Sequence, residues 1–156
     1  ENTNKRKGTY LKFNTLLTGD RDKLDLVLQW IGKENPSKIE NDDLDATFYQ
    51  IINDKNEGLK FCEQFTTAVD EYETPAGKEK MEWFFGIRRL LNLRKIKQKS
   101  GRYVTNDHQE TFLGNSLQDA AAFCLNDKSA QYTAIKELLE QNPETKRPEH
   151  IKPKKT

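Results

Sequence analysis

The sequence predicts an all-α fold, a single bundle-like domain of about six or seven helices. Apolar residues recur at three- and four-residue spacing through most of the 156 residues, as they do on the buried face of a helix. Capping residues, glycines and prolines separate those stretches. The stretch Thr74–Arg102 holds the densest apolar run, spread almost all round a helical wheel. We therefore expect a central helix over 75–97, surrounded by the other helices.

Four helical segments are predicted before the central helix, after a flexible basic leader at residues 1–8. Gly19 is a favourable helix end, and Asp20 and Asp42 are favourable caps. The apolar stripes of the four segments are, in chain order, Tyr10, Phe13, Leu16 and Leu17; Leu24, Val27, Leu28 and Ile31; Leu44, Phe48, Ile51 and Ile52; and Leu59, Cys62, Phe65, Val69 and Tyr72. The helical domain is expected to span residues 9–142.

The segment after the central helix leaves two alternatives open. Two short runs, residues 103–105 and 111–113, flank the turn-forming pair Asn106–Asp107. This pattern favours a small β-hairpin near 102–113. A helix that begins after Asp107 is the competing interpretation.

Two further helices and a tail complete the predicted domain organisation. Ser116 is a favourable cap for the first helix, and the second ends before Asn142. Residues 143–156 form a basic tail that contains prolines. We expect this tail to be extended or disordered, because it cannot bury enough apolar surface to fold.

Charge alternates along the chain, although the net charge is only +1. Residues 39–73 carry two basic and ten acidic groups, whereas residues 74–102 carry nine basic and two acidic groups. The acidic helices either pack beside the basic stretch and neutralise it, or the two leave one acidic and one basic face exposed. The sequence leaves both interpretations open.

Neither metal binding nor catalysis is predicted. His108, His150, Cys62 and Cys124 lack the spacing of zinc ligands, so no metal and no cofactor are expected. Cys124 lies on an apolar stripe, which predicts a buried and inert thiol even if His108 is close in space. No nucleophile, base and oxyanion donor can be combined, and we expect a protein that is not an enzyme.

A basic run is the strongest functional signal in the sequence. Seven Lys and Arg residues lie within positions 88–102, without one acidic residue. On a continuous helix, Arg88, Lys95 and Lys99 would form one stripe. Such groups suit phosphates and carboxylates, and the tail would add to the same field. The candidate binding residues are Arg88, Arg89, Arg94, Lys95, Lys97, Lys99, Arg102, Lys152, Lys154 and Lys155.

These features favour a non-enzymatic helical module that engages another protein. An anionic lipid surface that contains phosphoinositides is the alternative, and non-specific nucleic-acid binding is a further one. Cysteines within apolar patterns indicate free thiols and a cytoplasmic location, peripheral at a membrane in the lipid alternative. A disulfide between Cys62 and Cys124 is the other possibility. Because the chain begins at Glu1, we expect it to be part of a longer chain.

Overall fold

The computed structural model describes residues 2–32 and 39–143. The chain groups into two compact units, one reaching Thr74 and the other beginning at Pro75. We call them the N-terminal unit and the C-terminal unit. Across the described ranges there are seven α-helices and one three-stranded antiparallel sheet. This confirms the mostly helical fold with a small β-hairpin, while a single domain over 9–142 stays a prediction.

Four helices make up the described part of the N-terminal unit: α1 Asn2–Gly19, α2 Arg21–Trp30, α3 Asn41–Ile52 and α4 Gly58–Tyr72. Their predicted apolar stripes meet in an aromatic core. Phe13 and Phe48 stack with ring centroids 3.9 Å apart, and Phe61 and Phe65 meet Phe48 edge-on. All four rings are buried.

Residues 2–8 are the first turns of α1, so the structure differs here from the predicted flexible leader. Lys5 forms an ion pair with Glu63 at 2.9 Å, and Arg6 Nε donates to the carbonyl oxygen of Ile52 at 2.7 Å. These long-range contacts hold the start of α1 against α4 and the end of α3. Their partners lie more than forty residues away in the sequence, and no local pattern reveals them.

Charged side chains also lie inside the N-terminal unit. Arg21 Nε donates to Asp25 Oδ1 at 2.8 Å, and the Asp25 side chain is fully buried. Burial raises the pKa of Asp25 to about 6, although the Arg21 hydrogen bond acts in the opposite direction. Lys23 is buried too, pairs with Glu73, and has its Nζ 5.2 Å from the centre of the Tyr72 ring.

The described C-terminal unit combines helices and a sheet: α5 Pro75–Asn92, β1 Ile96–Lys99, β2 Arg102–Thr105, β3 Phe112–Gly114, α6 Leu117–Phe123 and α7 Ala130–Gln141. The sheet order is β1-β2-β3. As predicted, α5 begins at Pro75, and most of its large apolar side chains are buried. Ser116 caps α6 by accepting a hydrogen bond from the Asp119 N–H.

The central helix is shorter than predicted, since α5 ends five residues before position 97. Arg94 has a left-handed backbone, with φ of 63°. The Lys95 N–H donates to the Leu90 carbonyl and the Arg94 N–H donates to the Leu91 carbonyl. This pair of hydrogen bonds is a Schellman motif, which terminates a helix. Ile96 then enters the core as a strand residue and is 1% exposed.

The β-hairpin near 102–113 is confirmed, and the helix after Asp107 is wrong. β2 pairs with β3 in antiparallel fashion, and Val104 lies opposite Phe112. Asp107 Oδ1 accepts hydrogen bonds from the Thr105 hydroxyl and from the N–H groups of Gln109 and Glu110. An Asp that satisfies nearby main-chain N–H groups in this way stabilises a turn in place of a helix.

The sequence does not reveal that β1 adds a second hairpin to this sheet. Ser100 and Gly101 connect β1 to β2 with φ values of 54° and 78°. Positive φ at both central residues defines a type I′ turn, whose twist suits a two-residue hairpin. Ser100–Gly101 therefore joins two strands, whereas the sequence pattern indicates only the end of a helix.

Candidate functional site

The candidate site is a group of exposed cations at the end of α5 and on the β1–β2 hairpin. We call it the basic surface and define it by Arg94, Lys95, Lys97, Lys99 and Arg102. Arg94 and Lys95 lie in the helix-ending turn, and the other three lie on the two strands. All are exposed except Lys97, which is half-buried.

The helix-ending turn presents two cations beside an apolar residue. Leu93, the last residue before the left-handed Arg94, is 38% exposed. Arg94 and Lys95 follow it, and neither forms an ion pair with the other described residues of the C-terminal unit. The carbonyl oxygens of both residues accept hydrogen bonds from Asn106, which ties the turn to the end of β2.

Three cations share one face of the hairpin. Lys99 lies directly opposite Arg102 in the β1–β2 register. Lys97 precedes Lys99 by two residues, so its side chain lies on the same face of the strand. Arg102 also stacks on Phe112, with its guanidinium carbon 5.5 Å from the ring centre. Like charges directly opposite each other in a sheet repel, so this face favours an anion.

Glu110 supplies an anion to this face. Its Oε2 lies 2.7 Å from Lys97 Nζ, and its Oε1 lies 2.6 Å from Lys99 Nζ. The hydrogen bonds from Lys97 and Lys99 lower the pKa of Glu110 to about 2. Glu110 itself has a left-handed backbone, with φ of 46°. The carboxylate is therefore ionised and bridges two lysines.

The loop before Glu110 fixes its position. Asp107 Oδ1 accepts hydrogen bonds from the Thr105 hydroxyl and from two main-chain N–H groups, one of which is that of Glu110. The hydrogen bond from Thr105 has the largest effect in lowering the pKa of Asp107, and those from the main chain add to it. The Thr111 N–H completes the loop by donating to the Thr105 hydroxyl oxygen. Glu110 is thus held by a structured turn and is not a loose surface side chain.

The structure brings together only part of the predicted site. The expected helical stripe of Arg88, Lys95 and Lys99 is wrong, because the chain leaves the helix before Lys95. Arg88 and Arg89 are half-buried on the last turns of α5. The tail lysines, Lys152, Lys154 and Lys155, lie outside the described residues.

Glu110 is the residue of the candidate site that the sequence pattern missed. Glu110 lies thirteen residues after Lys97 and eleven after Lys99, spacings that do not place side chains together on a helix. The ion pairs form only because the three-stranded sheet brings these residues together. Only the Asn106–Asp107 turn signal pointed towards it. The acidic residues at 39–73 lie in the N-terminal unit, where Glu63 and Glu73 pair with lysines of that unit.

The residues considered for catalysis and metal binding lie in different environments where the structure describes them, and His150 lies outside the described residues. Cys124 is 1% exposed, and burial raises its pKa to about 12. His108 lies exposed in the loop after β2. Cys62 and Cys124 are both free thiols. Within residues 2–32 and 39–143, no cluster of three or more His, Cys, Asp or Glu residues could hold a metal ion.

Two observations bear on the lipid and nucleic-acid alternatives. No helix in the described ranges is both long and apolar enough to cross a membrane. Of the aromatic residues that precede the basic run, Phe84 and Phe85 are buried, and the half-buried Trp83 packs edge-on against Tyr132 with ring centroids 5.5 Å apart. Single-strand binding proteins stack bases on exposed rings, which these residues do not provide.

Comparison with protein-family models, with curated proteins and with solved structures finds no match for this chain.

Proposed function

We propose that the C-terminal unit is a non-enzymatic binding module that docks an acidic segment of a partner protein on the basic surface. Protein interfaces combine an apolar centre with charged groups at the rim, and Arg is enriched in them. Leu93 supplies an exposed apolar contact here, Arg94 and Lys95 follow it directly in the chain, and the other three cations lie on the hairpin. A location in the cytoplasm belongs to the same proposal.

One observation carries this proposal: the exposure of Arg94 and Lys95 in a rigid turn. A helix normally ends with Gly or Asn at the left-handed position, because other residues are strained there. This chain has Arg94 at that position, with φ of 63°. Strained residues are typical of functional sites. The side chains of Arg94 and Lys95 are both exposed, and neither forms an ion pair within the described C-terminal unit, which supports a role in binding a partner.

The test is capture of partner proteins by the full chain and by charge-reversal variants, with cross-linking and quantitative mass spectrometry. Arg94→Glu together with Lys95→Glu should remove proteins that the unchanged chain captures. Lys55→Glu with Lys60→Glu makes the same change in charge at exposed positions of the N-terminal unit and should retain them. If both double variants capture the same proteins as the unchanged chain, the basic surface is not the docking site.

An anionic lipid surface is the second candidate, and the exposed Leu93 favours it. Peripheral proteins bind membranes by combining apolar contacts with cations that attract acidic headgroups. Leu93 beside Arg94 and Lys95 offers this combination on one turn. Sedimentation with vesicles that contain phosphoinositides tests it. Binding that is unchanged when Arg94, Lys95 and Lys97 are replaced by Glu would rule out this surface.

A further inference from the structure

The bridge from Glu110 to Lys97 and Lys99 has the geometry of an anion site that is already occupied. Each lysine Nζ approaches a different oxygen of one carboxylate, at 2.7 and 2.6 Å. Two ammonium groups are therefore spaced to hold two oxygens of a single anion. The O–P–O edge of a phosphoryl group offers the same pattern of acceptors.

Positive charges outnumber negative charges at this site. Glu110 brings one negative charge to Lys97 and Lys99, and Arg102 lies directly opposite Lys99 on the same face. This face therefore carries three cations and one carboxylate, which pairs with two of them. A phosphate monoester carries a charge of about −1.5 to −2 at pH 7 and has three acceptor oxygens. It would neutralise this face better than Glu110 does.

The position of Glu110 in its loop favours a dianion over a carboxylate as the ligand of the two lysines. Glu110 is held beside the lysines by its own chain, so it acts at an effective concentration of about millimolar or more. A carboxylate from another molecule has the same charge as Glu110 and gains nothing by displacing it. A phosphoryl group gains the extra charge, and displacement releases Glu110 to water. The site therefore discriminates phosphorylated from merely acidic ligands.

The strand that carries the lysines also suits a peptide. β1 is an edge strand among those that the structure describes. Lys99 and Arg102 flank a two-residue turn and so form a hydrogen-bonded pair. The main-chain groups of the alternate residues, Ile96 and Gln98, consequently point away from β2. An extended peptide can add to such an edge and place a side chain beside Lys97 or Lys99.

We propose that Lys97 and Lys99 form a binding site for a phosphorylated side chain of a partner protein, and that Glu110 occupies this site until the partner arrives. The inference rests on the proposed docking function and names its ligand. Lys97 and Lys99 hold the phosphoryl group, Arg102 adds a third cation, and Leu93, Arg94 and Lys95 contact the flanking segment.

The test is calorimetric titration of the full chain with a matched pair of peptides, in which phosphoserine or serine is flanked by two glutamates on each side. The phosphorylated peptide should bind at least about tenfold more tightly, since its extra charge strengthens the hydrogen bonds from both lysines. Replacing Glu110 by Gln should tighten phosphopeptide binding about fivefold by removing the internal competitor. The double change Lys97→Gln and Lys99→Gln should abolish the preference for phosphate.

Two controls keep these results specific. Replacing both lysines by arginine retains the charges and should preserve phosphopeptide binding. Lys128→Gln removes one exposed cation elsewhere in the same unit and should change nothing. NMR with inorganic phosphate as the probe follows the main-chain amides at positions 97 and 99. Their chemical shifts should move in the unchanged chain and should not move in the double glutamine variant.

Several outcomes would overturn the inference. Equal affinity for the two peptides would do so, as would phosphopeptide binding that is indifferent to Lys97, Lys99 and Glu110. If acidic peptides then still required Arg94 and Lys95, the proposed function would stand without this site. If no peptide bound and partner capture were also indifferent to Arg94, both would fail. Vesicles with phosphoinositides that bind through the two lysines, without phosphopeptide binding, would assign the site to lipid.

Discussion

Residues 1–74 carry fifteen acidic and ten basic residues, whereas residues 75–147 carry nine acidic and thirteen basic ones. The two units also place their charges differently. In the N-terminal unit Asp25 and Lys23 are buried beside their partners, while in the C-terminal unit the cations of the basic surface lie in contact with water. Buried ion pairs are costly to break, and exposed ones exchange partners readily. The buried charges of the N-terminal unit should therefore be harder to replace than the exposed cations of the C-terminal unit.

The largest difference between the units should appear at their phenylalanines. Phe48 is 1% exposed and packs against Phe13, Phe61 and Phe65. Phe48→Ala should lower the free energy of unfolding by about 4 kcal/mol, because it leaves a cavity in the aromatic core. Phe123 is 42% exposed in the C-terminal unit, so Phe123→Ala should cost about 0.5 kcal/mol or less. Urea denaturation compares the two, and equal losses would contradict the assigned core.

The next prediction compares substitutions that remove one ion pair from each unit. Arg21→Met leaves the buried Asp25 carboxylate without its guanidinium, and should lower the free energy of unfolding by about 3 kcal/mol. Lys99→Met removes one of two lysines from the exposed Glu110 bridge, and its effect should be much smaller. Thermal and urea unfolding at neutral pH measure both. A larger loss for Lys99→Met would mean that the bridge is structural and not an exchangeable site.

The two carboxylates should also respond to pH in opposite directions. The folded-state pKa of Asp25 is raised from 3.8 to about 6, so the folded state binds the extra proton between these values. Stability should therefore fall as pH rises from about 4 to 6, by about 2 kcal/mol. Asp25→Asn should remove this decline. Unfolding free energies measured between pH 4 and 7 provide the test, and an unchanged slope in the variant would contradict it.

For Glu110 the sign is reversed. Its pKa is lowered from 4.5 to about 2, so the bridge to Lys97 and Lys99 contributes stability above about pH 4.5 that is lost as pH falls towards 2. Glu110→Gln should abolish this acid-dependent part while leaving the decline due to Asp25 intact. NMR titration of the Glu110 side-chain carbonyl checks the direction, and a midpoint above 4.5 would refute the bridge.

The success of the sequence prediction differs between the units for a physical reason. Stripes such as Phe13 with Leu17 repeat at helical spacing, and helix formation depends mainly on such local patterns. Helices α1 to α4 could therefore be predicted, except for residues 2–8 and the start of α3, which begins at Asn41, before the predicted cap Asp42. The helical structure of residues 2–8 depends on contacts of Lys5 and Arg6 with distant residues, which no local pattern contains.

In the C-terminal unit the decisive features are non-local or unusual. Leu93–Lys97 continues the helical pattern in sequence, and Arg is a good helix former, so nothing predicts the left-handed backbone at Arg94. Strand β1 forms because Ile96 is buried and Lys97 pairs with Val104 across the Ser100–Gly101 turn. The cations of the candidate site could be listed from the sequence. Their arrangement around Glu110 could not.

The strained end of α5 gives the sharpest test of what Arg94 is for. Gly has no strain in the left-handed region, so Arg94→Gly should raise the free energy of unfolding by about 1 kcal/mol. The same variant should lose partner capture. Lys95→Gln is the matched control: it removes a neighbouring charge from a residue without positive φ, and should weaken capture without any gain in stability. If Arg94→Gly is more stable and still captures the partner, Arg94 is merely a strained helix end. If stability rises while capture is lost, the strain at the end of α5 is the cost of holding a guanidinium where a partner can reach it.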